Sequence, residues 1–412
     1  MEPPLRRVAI TACRHNSLCS QISRPAALPV FRSSPRYHSS IASSSVQKSV
    51  PSLPKPAARS FHTSRVVQSN SDPKFTYGIA ASFNAKDTRY NPNTHVFNFN
   101  PYNAIRARRK DKRTRPASGQ DAFFVSKIGE SPDVAFGVAD GVGGWIDSGV
   151  DPADFAHGLC DYMAYAAYTH TPDATASPAT TPLSARSLMQ KGYDDIVKDE
   201  TVRAGGSTAC VALALEDGSM EIANLGDSGF VQLRLNAIHN LSDPQTHAFN
   251  TPYQLSKMEQ EEQEQSDKFG TSQIRDYPKD ASVTKHSLRH GDVIIFASDG
   301  VWDNLSASEI LRVVSRLMVG ARAWVHTEDG IKIGSGLRNF VLDGDSKEDL
   351  PRTLQSFLAA GITGEAKAAS MNTKRNGPFA KEVQKYYPGE HWRGGKVDDI
   401  CVVVAIAVEE GK

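Results

Sequence analysis

Four acidic positions flank apolar runs in this chain, and it is their placement that suggests chemistry. Asp140-Gly141 follows "VAFGVA" and Asp299-Gly300 follows "DVIIFAS". Asp121 precedes "AFFV", and Asp398-Asp399 precedes "ICVVVAIAV". Runs of this length, rich in β-branched residues, predict buried strands. If these strands pair antiparallel, an acid after one and an acid before the next lie at the same end of the sheet. Four carboxylates then converge. Two carboxylates about 5 Å apart repel by roughly 3 kcal/mol at an effective dielectric near 20. Several such pairs rival the whole stability of a domain, about 5–15 kcal/mol. Either some of the acids protonate or divalent cations neutralise them. An all-carboxylate set suits hard ions such as Mg2+ or Mn2+, not zinc. The plain alternative is that each Asp-Gly is a turn after a strand, where that pair is common.

The elements that must position these acids are legible as patterns. "DAFFVSKI" and "DVAFGVAD" flank the polar "GESP" and predict a hairpin. "STACVALALEDGSMEIANLGDSGFVQLRL" predicts a three-strand meander with turns at "EDGS" and "GDSG". "ASVTKHSLRHGDVIIFAS" predicts another strand pair, turning at His290-Gly291. Helices are expected over "DPADFAHGLCDYMAYAAYTH", with Asp151-Pro152 as cap and first turn, and over "SARSLMQKGYDDIVKD". A third is expected over "SASEILRVVSRLMVGARAW", capped by Ser306 or Ser308. Strand groups alternating with paired helices indicate an α+β layered fold and not a doubly wound parallel sheet. Thr169 to Ser184, Met258 to Lys268 and Lys332 to Pro351 read as inserted loops.

The first 61 residues differ from the rest of the 412. They carry nine Arg or Lys and one acid, Glu2, amid Ser, Pro and Ala. That composition predicts an organellar transit peptide, and "ARSFHTSR" suggests cleavage after Phe61. The expected organisation is residues 1–61 as a disordered mitochondrial leader, 62–115 as a linker and N-terminal entry to the fold, and 116–412 as the catalytic domain with inserted loops. Removing the leader's +8 from a total of +1 leaves the remainder at about −7. This mildly acidic balance argues against nucleic acid as a partner. "RARRKDKRTR" (Arg106 to Arg115) is the dense basic run, read as a solvated segment or a guide for an anionic substrate. No apolar run is long enough to span a membrane. The five Cys form no Cys-x-x-Cys pair; two lie in the leader, and Cys160, Cys210 and Cys401 read as small core residues, consistent with a reducing matrix-like compartment.

"ADGVGGW", "GGSTACVALA", "ANLGDSG", "FASDGVWDNL" and "KVDDICVVV" resemble, in order, the signature motifs of the metal-dependent type 2C (PPM-family) Ser/Thr protein phosphatases. With Asp121 ahead of them, they spread from Asp121 to Val404. "DGVGGW … NLGDSGF … FNTPYQL … GGKVDDI" is similar to the mitochondrial branch of that family, which is associated with ubiquinone biosynthesis and mitochondrial metabolic control. The resemblance implies a central β-sandwich of two antiparallel sheets, flanked by pairs of antiparallel helices, with metals at one end. It implies two Mg2+ or Mn2+ ions bridged by Asp140, with the Gly141 carbonyl, Asp299 and Asp398 as further ligands. It further implies that Asp121 would serve the second ion through water. A third, weaker ion would involve Asp227 and Asp303. Asp399 stands where the family usually has Asn, which leaves its role open.

The implied reaction is hydrolysis of phosphoserine and phosphothreonine on mitochondrial phosphoproteins, with metal-held water as nucleophile and no protein nucleophile. A monomer is expected. Two positions depart from the family pattern. Val142 stands where many members have a proton-donating His. Pro116 stands where many have a phosphate-binding Arg, with Arg115 one residue away. Two other readings stay open on sequence: an inactive phosphatase-like scaffold, and a hydrolase of a small phosphate ester.

Overall fold

The computed structural model describes residues 73–100, 112–171, 183–258, 275–342 and 353–412. The leader, most of the basic run and the interiors of the three expected loops lie outside the described residues. Ser69–Lys412 form one compact unit.

In chain order, β1 (Phe75–Asn84), β2 (Val96–Asn98), β3 (Asp121–Lys127) and β4 (Val134–Asp140) precede α1 (Pro152–Tyr168) and α2 (Ala185–Lys198). Next come β5 (Gly205–Ser207), β6 (Ala209–Ala214), β7 (Ser219–Leu225), β8 (Gly229–Arg234) and β9 (Ala237–Leu241). Three short strands follow: β10 (Thr246–Ala248), β11 (Thr251–Pro252) and β12 (Leu255–Lys257). β13 (Ser282–Ser287) and β14 (Val293–Ala297) lead to the short α3 (Asp299–Trp302) and to α4 (Ala307–Gly320). A small ribbon, β15 (Trp324–Thr327) and β16 (Gly330–Ile333), precedes α5 (Leu337–Leu342), α6 (Leu354–Ser370) and α7 (Pro378–Tyr386). β17 (Ile400–Glu409) closes the fold.

Two antiparallel sheets make the centre, ordered β2-β1-β17-β14-β8-β9 and β13-β7-β6-β4-β3. Ile79, Phe136, Ile222, Phe296 and Val403 fill the space between them. α1 and α2 cover the outer face of the second sheet through Leu159, Met163, Leu188 and Met189. α4 and α6 cover the first through Ile310, Val314, Leu358 and Ile362. The result is the four-layer α-β-β-α arrangement expected from sequence.

β17 explains why its run is apolar without alternation. Val402, Val404 and Ile406 face the helices, while Cys401, Val403 and Ala405 face the other sheet. A strand buried on both faces has no polar side to show. It pairs along its whole length with β1, from Phe75↔Glu409 to Asn84↔Ile400. The sandwich thus takes in β1, within the 62–115 segment expected to hold the N-terminal entry to the fold.

Two expectations are corrected. The meander is a β6–β7 hairpin, after which β8 crosses to the other sheet and pairs with β14. "LGDSG" is that crossing, not a hairpin turn. Gly226 takes φ +102° there, and a Cβ would meet Thr208 Cγ2 at 2.7 Å. The pair turning at His290-Gly291 also splits: β13 pairs with β7, and β14 with β17. β14 is apolar and buried on both faces while β13 is polar and largely exposed, so closeness along the chain does not make them partners.

The caps behave as the sequence suggests. The Asp151 side chain accepts from Ala153 N. Ser306, and not Ser308, caps α4, with Glu309 returning a bond to Ser306 N. α6 and α7 were not anticipated.

Candidate active site

The strand ends bring the acids together. Asp121 opens β3 and Asp140 ends β4, and the two are direct register partners. Asp299 follows β14, and Asp398 lies two residues before β17, its neighbour in the sheet. Asp303 sits one turn beyond Asp299, its N–H donating to the Asp299 carbonyl at 2.8 Å. Asp227 sits in the crossing between β7 and β8.

Hydroxyls fix the inner acids. Ser298 Oγ donates to Asp121 Oδ2 at 2.6 Å and accepts from Cys401 N at 3.0 Å, tying the two sheets together. The Asp140 N–H donates to Thr208 Oγ1 at 3.1 Å, and Thr208 shares a hydrogen bond with Ser228. Asp121 is fully buried. Its Oδ1 and the Oδ1 of Asp227 are buried without partners.

Sequence reasoning missed the central cation. Lys396 Nζ contacts Asp299 Oδ2, lies 2.8 Å from Asp303 Oδ2 and 3.1 Å from Asp398 Oδ2. Its side chain is 16% exposed. The one local signal was its place, two residues before Asp398, in a loop that otherwise reads as solvated. Among the described residues, no three acids, His or Cys form a ready-made metal-binding group. Three of the six acids are instead gathered on the ammonium.

The electrostatics divide accordingly. Burial, aided by Asp399, pushes the Asp121 carboxyl well above the usual range. Burial and then Asp121 do the same to Asp140. Burial and Asp299 push Asp227 up to about 8. Asp303 is raised by burial to about 6, against the pull of Lys396. For Asp299 burial is outweighed by Lys396, and its carboxyl falls below the usual value. Burial alone would lower Lys396, but Asp299, Asp303 and Asp398 hold its ammonium well above the usual lysine range. Burial raises Asp398 too, despite its contact with Lys396, so of the six acids Asp299 alone is lowered, as expected for carboxylates crowded away from water. Their hard oxygens and two orphaned atoms fit Mg2+ or Mn2+.

Three other positions are settled in part. Asp399 is a structural acceptor: Oδ1 receives Lys86 N at 2.7 Å and Oδ2 receives Gln120 N at 2.8 Å. Arg115 pairs with Asp154 at 2.9 Å, while its Nε and Nη2 are buried without partners. Asp154 belongs to the first turn of α1, where the Pro152 carbonyl packs closely against Gly141. Val142 caps the short turn Gly143–Ser148 through its backbone and brings no ionisable group.

Residues 110–327, just over half of the chain, match the family model described as Protein phosphatase 2C. The chain belongs to the protein phosphatase 2C family, the metal-dependent protein Ser/Thr phosphatases. Among curated relatives it is similar to "Protein phosphatase 2C homolog 7, mitochondrial" of Saccharomyces cerevisiae: 31% identity, with 80% of this chain and 82% of the relative covered. It is also similar to "Protein phosphatase PTC7 homolog fig" of Drosophila simulans: 32% identity, with 71% and 79% covered. Among solved structures, a photosystem II phosphatase shares 25% identity at a TM-score of 0.48, with 70% of this chain and 91% of that one covered.

Proposed function

We propose that this protein hydrolyses phosphoserine and phosphothreonine on mitochondrial phosphoproteins, using two Mg2+ or Mn2+ ions. The observation that carries this is the convergence of Asp121, Asp140, Asp299 and Asp398 at one end of the sandwich, with the Asp121 and Asp227 oxygens left unpaired. Asp140, the Gly141 carbonyl, Asp299 and Asp398 would hold the ions, with Asp121 acting through water. The bound ions would acidify a water to serve as nucleophile and offset charge on the phosphoryl oxygens.

The chain's own groups do the rest. Ser298 keeps Asp121 turned inward. The two unpaired nitrogens of Arg115 suit a phosphate oxygen, which makes Arg115 the candidate for orienting the substrate. Val142 can donate no proton, so the leaving oxygen takes its proton from water or substrate.

The mitochondrial assignment rests on the composition of residues 1–61 and on the name of the yeast relative. Control of ubiquinone biosynthesis and mitochondrial metabolism is the physiological setting that the mitochondrial branch suggests.

Protein lacking residues 1–61 is expected to release phosphate from phosphoserine and phosphothreonine peptides with Mn2+ or Mg2+, and to stop in EDTA. Release from small esters alone would favour the small-ester hydrolase. No release with any metal would favour a scaffold. Fusion of residues 1–65 to a reporter checks the leader, since cytosolic signal contradicts it.

A further inference from the structure

We infer that Lys396 is a built-in cation that takes the place of a third divalent ion, so that the six-acid site loads two ions only. This rests on the metal-phosphatase reading above and narrows it.

The argument begins with how the chain delivers the ammonium. Gly395 lies so close to α6 that a Cβ would stand 2.2 Å from the Ala369 carbonyl oxygen, a position open only to glycine. Lys396 is then clamped through its backbone. Its N–H donates to Asn304 Oδ1 at 3.0 Å, and its carbonyl accepts from Asn304 Nδ2 at 2.8 Å. Asn304 is itself fully buried and also donates to the Gly300 carbonyl. One side chain therefore ties the Asp-Gly step to the lysine loop. The ammonium ends 5.7 Å from the centre of the Phe379 ring, within the range of a cation–π contact.

The acids on the other side of the ammonium are Asp299, Asp303 and Asp398. Asp303 is the acid expected from sequence to serve a third ion. Its carboxylate is engaged by Lys396, and a divalent ion placed there would sit against a fixed positive charge. An ammonium offers three donors and no acceptor, which suits three carboxylate oxygens from different segments. The ion pairs of Lys396 are with Asp299, Asp303 and Asp398, not with Asp121, Asp140 or Asp227, so the two ions would share Asp299 and Asp398 with the ammonium and take Asp140 unshared.

The test counts ions on the full chain. Mn2+ is titrated and followed by electron paramagnetic resonance, with thermal unfolding of the metal-free protein in parallel. The wild type is expected to bind two Mn2+ and Lys396→Met three. Metal-free Lys396→Met is expected to melt lower by about 5 °C or more, since three acids lose their counter-charge, and to recover with Mn2+. Lys396→Arg, which keeps the charge, should stay at two. If Lys396→Met does not fold, Lys396→Gln supplies the neutral side chain. Equal counts in wild type and neutral variant, or three ions in the wild type, overturn the inference. A wild type that binds no Mn2+ overturns the metal-phosphatase reading itself, and is a distinct result.

Discussion

Asp121 and Asp140 face one another across the β3–β4 ladder, residue against residue. Like charges placed directly opposite on paired strands are destabilising, and Asp121 of this pair is also fully buried. A protein assembled for stability alone would not keep it. Asp140→Asn removes one of the two charges and one proposed ion ligand. Activity is expected to fall by more than about 100-fold, while the metal-free protein melts no lower than wild type. Asp299→Asn should lose activity likewise, but should also weaken the metal-free fold because it breaks the contact with Lys396. Kinetics and calorimetry on the two variants check both halves; full activity in either removes the site assignment.

The pH dependence of the metal-free protein follows from carboxyls with raised values. Asp303 and Asp227, near 6 and 8 in the fold against 3.8 outside it, bind protons more tightly when folded. Their contribution is complete below about pH 4 and is lost as pH rises through 6 and then 8. His286 and His290, lowered by burial, act in the opposite sense near pH 6.5 but are only partly buried. The metal-free protein is expected to melt higher at pH 5.5 than at pH 8.5. Asp227→Asn should flatten the upper part of that fall. Saturating Mn2+ should oppose it, because ligand carboxylates must be deprotonated. Fluorimetry across the range decides; a melting point that climbs from 5.5 to 8.5 contradicts the assignment.

Asp292 provides a test of stability away from the chemistry. It opens the end of β14 opposite to Asp299, is fully buried, and accepts from Gln232 Nε2 at 2.8 Å and from Arg234 Nη2 at 2.6 Å. Asp292→Ala strands the Arg234 charge. A loss of about 3–5 kcal/mol is expected in urea unfolding, with kcat/KM of the folded protein unchanged.

Asp399 is expected to matter for loop anchoring and not for ion count. Asparagine has one acceptor oxygen where the carboxylate has two, so Asp399→Asn leaves either Lys86 N or Gln120 N facing an amide donor. The cost is about 1–3 kcal/mol in chemical denaturation, and Mn2+ stoichiometry stays that of wild type. A changed ion count would instead place Asp399 among the ligands.

How much of this was readable before the structure depends on what each feature required. The four strand-end acids were legible because β3, β4, β14 and β17 are apolar enough to mark their own ends. The sheet to which β8 belongs was not, since burial on both faces erases the alternation that would assign a side, and β13 is so polar and exposed that its run names no core partner. α6 escaped notice because it buries Gln355, Ser356, Thr363 and Ser370 beside its apolar residues, which blurs the contrast between its faces. Lys396 escaped for a tertiary reason: its partners come from α3 and the residue after it and from its own loop, segments far apart in sequence that Asn304 ties together.

β17 carries a further consequence. The strand that begins beside Asp398 and Asp399 runs through the middle of its sheet with both faces enclosed, and it pairs with β1 and β14 on its two edges. Those two acids are therefore anchored to a segment that cannot fray without dissolving the core. The reaction end of this molecule shares the fate of the whole fold: it stays assembled until global unfolding, and a partner that silences the protein must cover the cleft or withhold its ions, because prising the acids apart would mean melting the protein.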